Sequence, residues 1–319
     1  MNEGALISEP SSYNPAHHYF VAFMAGATLL LILAGALVTS NDAGLAVPDW
    51  PTSFGSLYKI PPMVGGVGFE HRHRWAAEFI GFLTVIFTIW TVLIETRGWM
   101  KRLAVGTLLT VIAQGILGGI TVLFYLPWWI STAHATLGQT FFCLVVLMTL
   151  FTSRSWMVAP AAGIEEIGKK HFLDLKTLTS FGVASLFVQL VLGAAFRHSG
   201  IKLLPHLVSA VVVVCLLLWS ITRVLSHYSV IAELRRSALV MLTSLMIQLG
   251  LGFAAYLTRV EWGKNAAQPA PVMVATTVAH VVIGAVLLAA SVVLAAYTRR
   301  YVSNQVRFAP YQKRSTLIT

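Results

Sequence analysis

Along the chain, apolar residues gather into eight long runs separated by short polar clusters. The runs cover about 18–39, 74–95, 103–125, 132–152, 177–196, 205–225, 237–258 and 273–297. A helix needs roughly 20 predominantly apolar residues to cross the hydrocarbon core of a bilayer, and each run supplies about that many. None alternates with the period of two that a barrel strand shows, so the backbone polar groups must be satisfied within helices. The pattern predicts an all-α integral membrane protein with eight transmembrane helices.

Composition agrees. Of 319 residues, 57% are hydrophobic and 11% charged, and the mean hydropathy is +0.76. The formal charge of +10 would suit a nucleic-acid partner, but its distribution points elsewhere. With the amino terminus placed in the cytoplasm, Arg97, Lys101, Arg102, Arg154, Lys169, Lys170, Lys176, Arg223, Arg235, Arg236, Arg299, Arg300, Arg307, Lys313 and Arg314 all fall inside. Only Lys59, Arg72, Arg74, Arg197, Lys202, Arg259 and Lys264 fall outside. That is the positive-inside asymmetry with both termini cytoplasmic. The excess charge reports topology and contact with anionic lipid head groups, not nucleic acid. No basic segment precedes the first run, so no cleaved signal peptide is expected. Two acids and no Arg in the first 17 residues argue against a mitochondrial transit peptide. Cys143 and Cys215 lie within apolar runs and read as buried thiols, without a disulfide framework or zinc motif.

The runs repeat in pairs. "QGILGGITVLFYLPWWISTAHATLGQ" from Gln114, "QLVLGAAFRHSGIKLLPHLVSAVVV" from Gln189 and "QLGLGFAAYLTRVEWGK…TTVAHVVIGAVLL" from Gln248 share one plan. Each has Gln, a Gly four residues later (Gly118, Gly193, Gly252), an outer loop, and a His early in the next helix. The first pair follows more loosely, with Gly35 closing "LILAG" and His73 opening the second helix. Four outward-opening hairpins result, with His73, His134, His206 and His280 at similar depth. Four residues after each stands a small residue, Ala77, Gly138, Ala210 or Gly284. One turn is 3.6 residues, so each shares its histidine's face and leaves room for a flat partner. Small residues also simply let membrane helices pack closely. The other histidines read as ordinary: His17, His18, His171 and His227 as solvated or interfacial on the inner side, His71 and His198 as exposed on the outer side.

Ionisable residues within membrane segments are costly and usually face a bundle interior with a function. Imidazole is a common metal ligand and an axial ligand of haem iron. Facing histidines on antiparallel helices would clamp haem in two sites, His73 with His134 and His206 with His280. Hydrogen bonding between helices explains any single histidine equally well. A proton relay usually recruits buried acids at several depths, whereas Glu78 is the only acid well inside a helix, with Arg74 one turn away. A mononuclear zinc site lacks any HExxH-type signal. Glu70, three residues before His73, shares its face and can orient the ring or transfer protons at a bound substrate. Arg72 and Arg74 either meet haem propionates or snorkel at the interface.

"EHRHRWAAEFIG", "STAHATLGQ", "PHLVSA" and "VAHVVIGA", with "GLAVPDWPTSFG" in the first outer loop, resemble the heme A synthase family of cytochrome oxidase assembly over about residues 20–297. The resemblance implies two four-helix bundles related by a pseudo-twofold axis. It implies oxidation of the C8 methyl of heme O to the formyl of heme A, in a bacterial cell (inner) membrane. By position, His206 and His280 would be axial ligands of a resident heme b that passes electrons. His73 and His134 would face the iron of the substrate, heme O, and of the product, heme A. Glu70 would be the catalytic acid. Expected partners are heme O, membrane lipids, heme O synthase and an electron carrier. The expected divisions are a substrate half at 1–152, a cytoplasmic linker at 153–176, a heme b half at 177–297 and a cytoplasmic tail at 298–319.

The first outer loop, roughly Ser40 to Arg72, is rich in Pro and Gly and contains Asp49 and Trp50. It suits a lid that excludes water, or a plain spacer. Some members of the resembled family carry cysteines flanking the Asp-Trp-Pro; here Val47 and Ser53 stand beside "PDWP", so no thiol chemistry operates there. The competing function is a diheme b-type membrane electron-transfer protein with both haems permanent. A transporter using the histidines for proton coupling is a third.

Overall fold

The computed structural model describes residues 13–157, 164–165, 173–265, 267 and 269–303. His171, Lys169, Lys170, Arg307, Lys313 and Arg314, with most of the expected linker and tail, lie outside the described residues. Eight helices are long and apolar enough to cross a membrane: α1 (Pro15–Ser40), α2 (Gly65–Ile94), α3 (Gly98–Leu123), α4 (Trp128–Thr152), α5 (Leu175–Arg197), α6 (Leu204–His227), α7 (Ala232–Tyr256) and α8 (Pro271–Tyr301). The chain is therefore a multi-pass membrane protein. A two-residue parallel pairing of Ile164–Glu165 with Val302–Ser303 is the only strand ladder among the described residues.

Local chemistry sets several of the helix ends. Asn14 caps α1, its side chain accepting from His17 N at 3.1 Å, and Asp174 caps α5 by accepting from Thr177 N at 2.7 Å. Prolines open α1, α6 and α8, where a missing N–H costs nothing. Within the spans, threonine hydroxyls are satisfied by the carbonyl one turn back, as Thr28 by Met24 (2.7 Å), Thr84 by Ile80 (2.7 Å) and Thr91 by Phe87 (2.8 Å).

The boundaries follow the apolar runs, with departures at several ends: α3 begins at Gly98 and α7 at Ala232, each a little over a turn early. α8 continues to Tyr301, and α2 begins at Gly65 rather than near residue 74. Glu70 to Arg74 is therefore helical, not a threshold. Its opening turns lie under the first outer loop, away from lipid, so no apolar run marks them.

Helix contacts close two rings. In one, α1 packs on α2, α2 on α3, α3 on α4, and α4 back on α1. The same circuit joins α5, α6, α7 and α8. The rings meet through α1 and α4 against α5 and α8, with Ser40 Oγ 2.9 Å from Thr277 Oγ1 across the seam.

Where the apolar core sits decides what the rings can hold. In the first ring it comprises Val21, Met24, Ile80, Leu83, Phe87, Met100, Ala104, Phe141, Val145 and Met148. All lie toward the side of Asn14 and the α2–α3 turn, inward of His73 and His134. The second ring repeats this, its core on α6 beginning at Val213 and on α8 at Ala285, inward of His206 and His280. In each ring the clustered core of large side chains fills the inner half, and the histidines lie outward of it.

Candidate functional site

Each histidine ring lies against a glycine of the helix before it in its hairpin. A Cβ added at Gly35 of α1 would come within 3.0 Å of His73 Cε1 on α2. At Gly118 the corresponding distance to His134 is 3.1 Å, at Gly193 to His206 2.8 Å, and at Gly252 to His280 3.1 Å. At Gly193 a Cβ would come closer than real Cβ atoms do, and at Gly35, Gly118 and Gly252 the imidazole would have to give by a few tenths of an ångström, so glycine is what lets each ring sit this close to the neighbouring backbone. The Gln-x-x-x-Gly repeat carried this signal, although spacing alone does not say what the glycine is for.

The glutamine completes the unit. Gln114 Nε2 lies 3.4 Å from His134 Nε2, Gln189 Nε2 3.3 Å from His206 Nε2, and Gln248 Nε2 3.3 Å from His280 Nε2. An amide donor aimed at Nε2 assigns the lone pair to that nitrogen and the proton to Nδ1. Gln189 Oε1 in turn accepts from Ser209 Oγ. The small residues one turn beyond the histidines serve this contact: the Gln114 amide fills the space over Gly138, and the Gln248 amide that over Gly284. The room expected there for a flat partner is thus occupied by glutamine. Hairpin one differs, because Leu31 stands where the others have glutamine. The Leu31 carbonyl is turned toward the His73 ring without closing a hydrogen bond.

His73 and His134 are close enough to feel each other's charge, and so are His206 and His280. Among the described residues no three His, Cys, Asp or Glu side chains cluster around a common point, so the four histidines can serve a metal only in pairs. The donor set fits haem. Each pair brings one imidazole from each of two neighbouring hairpins, outward of the clustered apolar core, and imidazole is an axial ligand of haem iron. Buried atoms without partners also collect at this level: Nδ1 of His73, His134 and His280, and Oε1 of Gln114 and Gln248. Such atoms are rare in folded proteins and concentrate at functional sites.

Above the first pair, the outer loop is tied to α2. Glu70 is only 4% exposed, and both its oxygens are engaged. Oε1 accepts from Arg74 Nη2 at 2.6 Å and Oε2 from Val47 N at 2.8 Å. Arg74 donates to the carbonyls of Asp49 (2.7 Å), Thr52 (3.0 Å) and Val47 (3.0 Å). Its guanidinium is spent on the loop; it neither snorkels nor pairs with Glu78, which is exposed. Arg72 is exposed.

Within the loop, Asp49 accepts from Phe54 N, Gly55 N and the Thr52 hydroxyl. Burial pushes its pKa up, but these three bonds outweigh it, and the carboxyl titrates below its ordinary value. The neighbouring Trp50 indole lies across Gly119, next to the glycine that backs His134; a Cβ on Gly119 would collide with the indole.

Several histidines depart from the ordinary roles expected of them. His71 is buried, its Nδ1 3.2 Å from Ser53 Oγ and its ring 4.6 Å from that of Trp75. His17 is core, bonded to Thr91 Oγ1 at 2.9 Å and stacked on Phe87. His198 ends α5 beside the first ring. Burial, then Arg197 and then His134 push its pKa down to about 4. Cys143 is buried as expected, whereas Cys215 is exposed.

Residues 68–204 match the family model described as "Cytochrome oxidase assembly protein". The chain is similar to the protein named heme A synthase in Shewanella oneidensis, 28% identical over 168 residues, 47% of this chain and 50% of the relative. It is similar to the heme A synthase of Shouchella clausii, 33% identical over 127 residues, 38% of this chain and 40% of the relative. A third, from Symbiobacterium thermophilum, is 29% identical over 179 residues, 54% of this chain and 56% of the relative. The chain spans about half the length of the curated relatives it matches. The resemblance read from the motifs is borne out by these matches.

Proposed function

From the similarity of residues 68–204 to the cytochrome oxidase assembly family model and of about half the chain to proteins named heme A synthase, we propose that it is a heme A synthase that oxidises the C8 methyl of heme O to the formyl of heme A. The observation that carries this reading is the unequal equipment of two otherwise repeated sites. Both rings offer glycine-backed histidine pairs. Among the described residues, only the first adds a buried acid and a strapped loop.

The first ring is then the substrate half, with His73 and His134 facing the iron of heme O. The second is the heme b half, with His206 and His280 as axial ligands. Bound haem supplies the redox chemistry; the protein's part is to hold, orient and exclude water. His134 keeps its Nε2 under the Gln114 amide, whereas no side-chain amide covers His73. Glu70, one turn outward of His73, accepts from Val47 N and Arg74 and through them holds the loop. The loop lays Trp50 on Gly119 at the mouth of the first ring, as a lid would.

The halves would be related by a pseudo-twofold axis, with both termini cytoplasmic in a bacterial inner membrane. Heme O synthase and an electron carrier are the fitting partners.

The test is haem analysis of the full chain co-expressed with a heme O-producing enzyme. Extracts are expected to contain heme b with heme O or heme A. Glu70→Ala is expected to lose heme A while retaining heme b. Two equivalents of heme b under every condition would establish the diheme electron-transfer protein instead.

A further inference from the structure

Two arginines at the outer mouth of the second ring have no structural use for most of their donors. Arg197 is the last residue of α5, one turn outward of Gly193, which backs His206. Arg259 lies in the wide turn Leu257–Glu261 that ends the seventh span, about two turns outward of Gly252, which backs His280. The two guanidiniums are close enough to feel each other's charge, and Arg197 also feels Asp42. Neither makes an ion pair among the described residues. Arg197 Nη2 donates to the Thr39 carbonyl, and Arg259 Nη1 lies 3.6 Å from Met273 Sδ, a weak acceptor. A guanidinium has five N–H donors, and half-buried like charges at a membrane boundary are costly without an anion.

The first ring lacks this arrangement. One turn outward of Gly35 and Gly118 stand Thr39 and Val122, and Arg74 is consumed by loop carbonyls. A resident ligand has to be retained, whereas a substrate has to leave.

We propose that Arg197 and Arg259 form a clamp for the carboxylates of the ligand held by His206 and His280, the propionates of the resident haem. This rests on the proposed heme b half. Planar arginine forks bind carboxylates in paired, charge-assisted hydrogen bonds. Seated at the outer mouth, they would fix the carboxylate edge outward and place two positive charges beside the iron.

The experiment compares full-length wild type with Arg197→Gln, Arg259→Gln, the double variant and the two Lys replacements, with His280→Ala as control. Haem b per polypeptide after prolonged detergent washing and the haem midpoint potential are the readouts. Each Gln variant is expected to hold haem on the order of tenfold less tightly, as loss of a charge-assisted bond predicts. It should also titrate at a lower potential, because removing positive charge favours ferric haem. Lys should restore the potential more fully than the retention. Retention and potential both unchanged in the double variant overturn the clamp. If the double variant does not accumulate, the same unchanged readouts in both singles overturn it. Failure of the underlying reading is distinct: His280→Ala would keep the wild-type haem spectrum, or wild type would carry no haem b.

Discussion

Glu70 and Arg74, one turn apart on α2, are joined at 2.6 Å, and through them three loop carbonyls and one loop N–H are fixed to the helix that carries His73. Removing one partner of a buried pair leaves the other charge uncompensated, at a cost of roughly 3–5 kcal/mol. Arg74→Ala should therefore release the loop: heme A formation is lost, residues 41–64 become sensitive to protease, and heme b stays bound. Arg74→Lys should rescue poorly, because one ammonium cannot reproduce a fork spread over three carbonyls. Rescue to wild-type activity by Lys would show that only the charge matters.

The same strap has a redox consequence. Val47 and Ser53, which flank the Pro-Asp-Trp-Pro of the loop and are not cysteines, are held by Glu70, Arg74 and the His71–Ser53 contact at 3.2 Å. The proposed formation of heme A should therefore be indifferent to thiol reductants in the assay. A fall in turnover on adding reductant, with the haem oxidation state controlled, would contradict this.

Glycine backing should be testable one site at a time. Gly118→Ala presses a methyl against His134 and should impair substrate conversion while leaving heme b intact. Gly252→Ala presses on His280 and should perturb the heme b spectrum. Overpacking of this kind costs about 1–3 kcal/mol. Gly26→Ala, where a Cβ meets nothing within 4 Å, should leave both spectrum and turnover unchanged.

Trp50 rests on Gly119 so closely that any side chain at 119 must displace it. Gly119→Ala should expose the indole to aqueous quenchers, in a variant whose other tryptophans are replaced, and lower turnover. Unchanged quenching would show that the indole finds another seat.

His198 gives a pH dependence with a defined sign. Its pKa falls from 6.5 to about 4 on folding, so the unfolded chain binds more protons between those values. The stability it contributes is complete above about pH 6.5 and is lost as pH falls toward 4. Thermal stability of wild type should therefore fall across that window, and His198→Gln should flatten the fall. Parallel profiles for the two proteins would remove His198 from the account.

Much of the site was legible because membrane physics is written locally. An apolar run of sufficient length has to be a helix, since lipid offers the backbone no partners, and four histidines recurring at one offset disclose four equivalent hairpins. The α2 boundary was missed for the complementary reason: Gly68, Glu70 and His71 are buried against the loop and its polar groups, so this stretch needs no apolar signature. His17 and His71 look interfacial by position, yet each is buried by contacts distant in sequence, Thr91 in one case and Ser53 in the other.

By itself, then, the sequence determined the eight spans, the repeat and the identity of the four histidines, because hydrophobic length and periodic spacing act within a single helix or hairpin. Only the tertiary structure decided which glycine backs which ring, that glutamine rather than open space lies beyond His134 and His280, and that Arg74 is bound to the loop while Arg197 and Arg259 are not. Those outcomes depend on which side chains from different helices reach the same few ångströms, and that proximity exists only once the helices have packed.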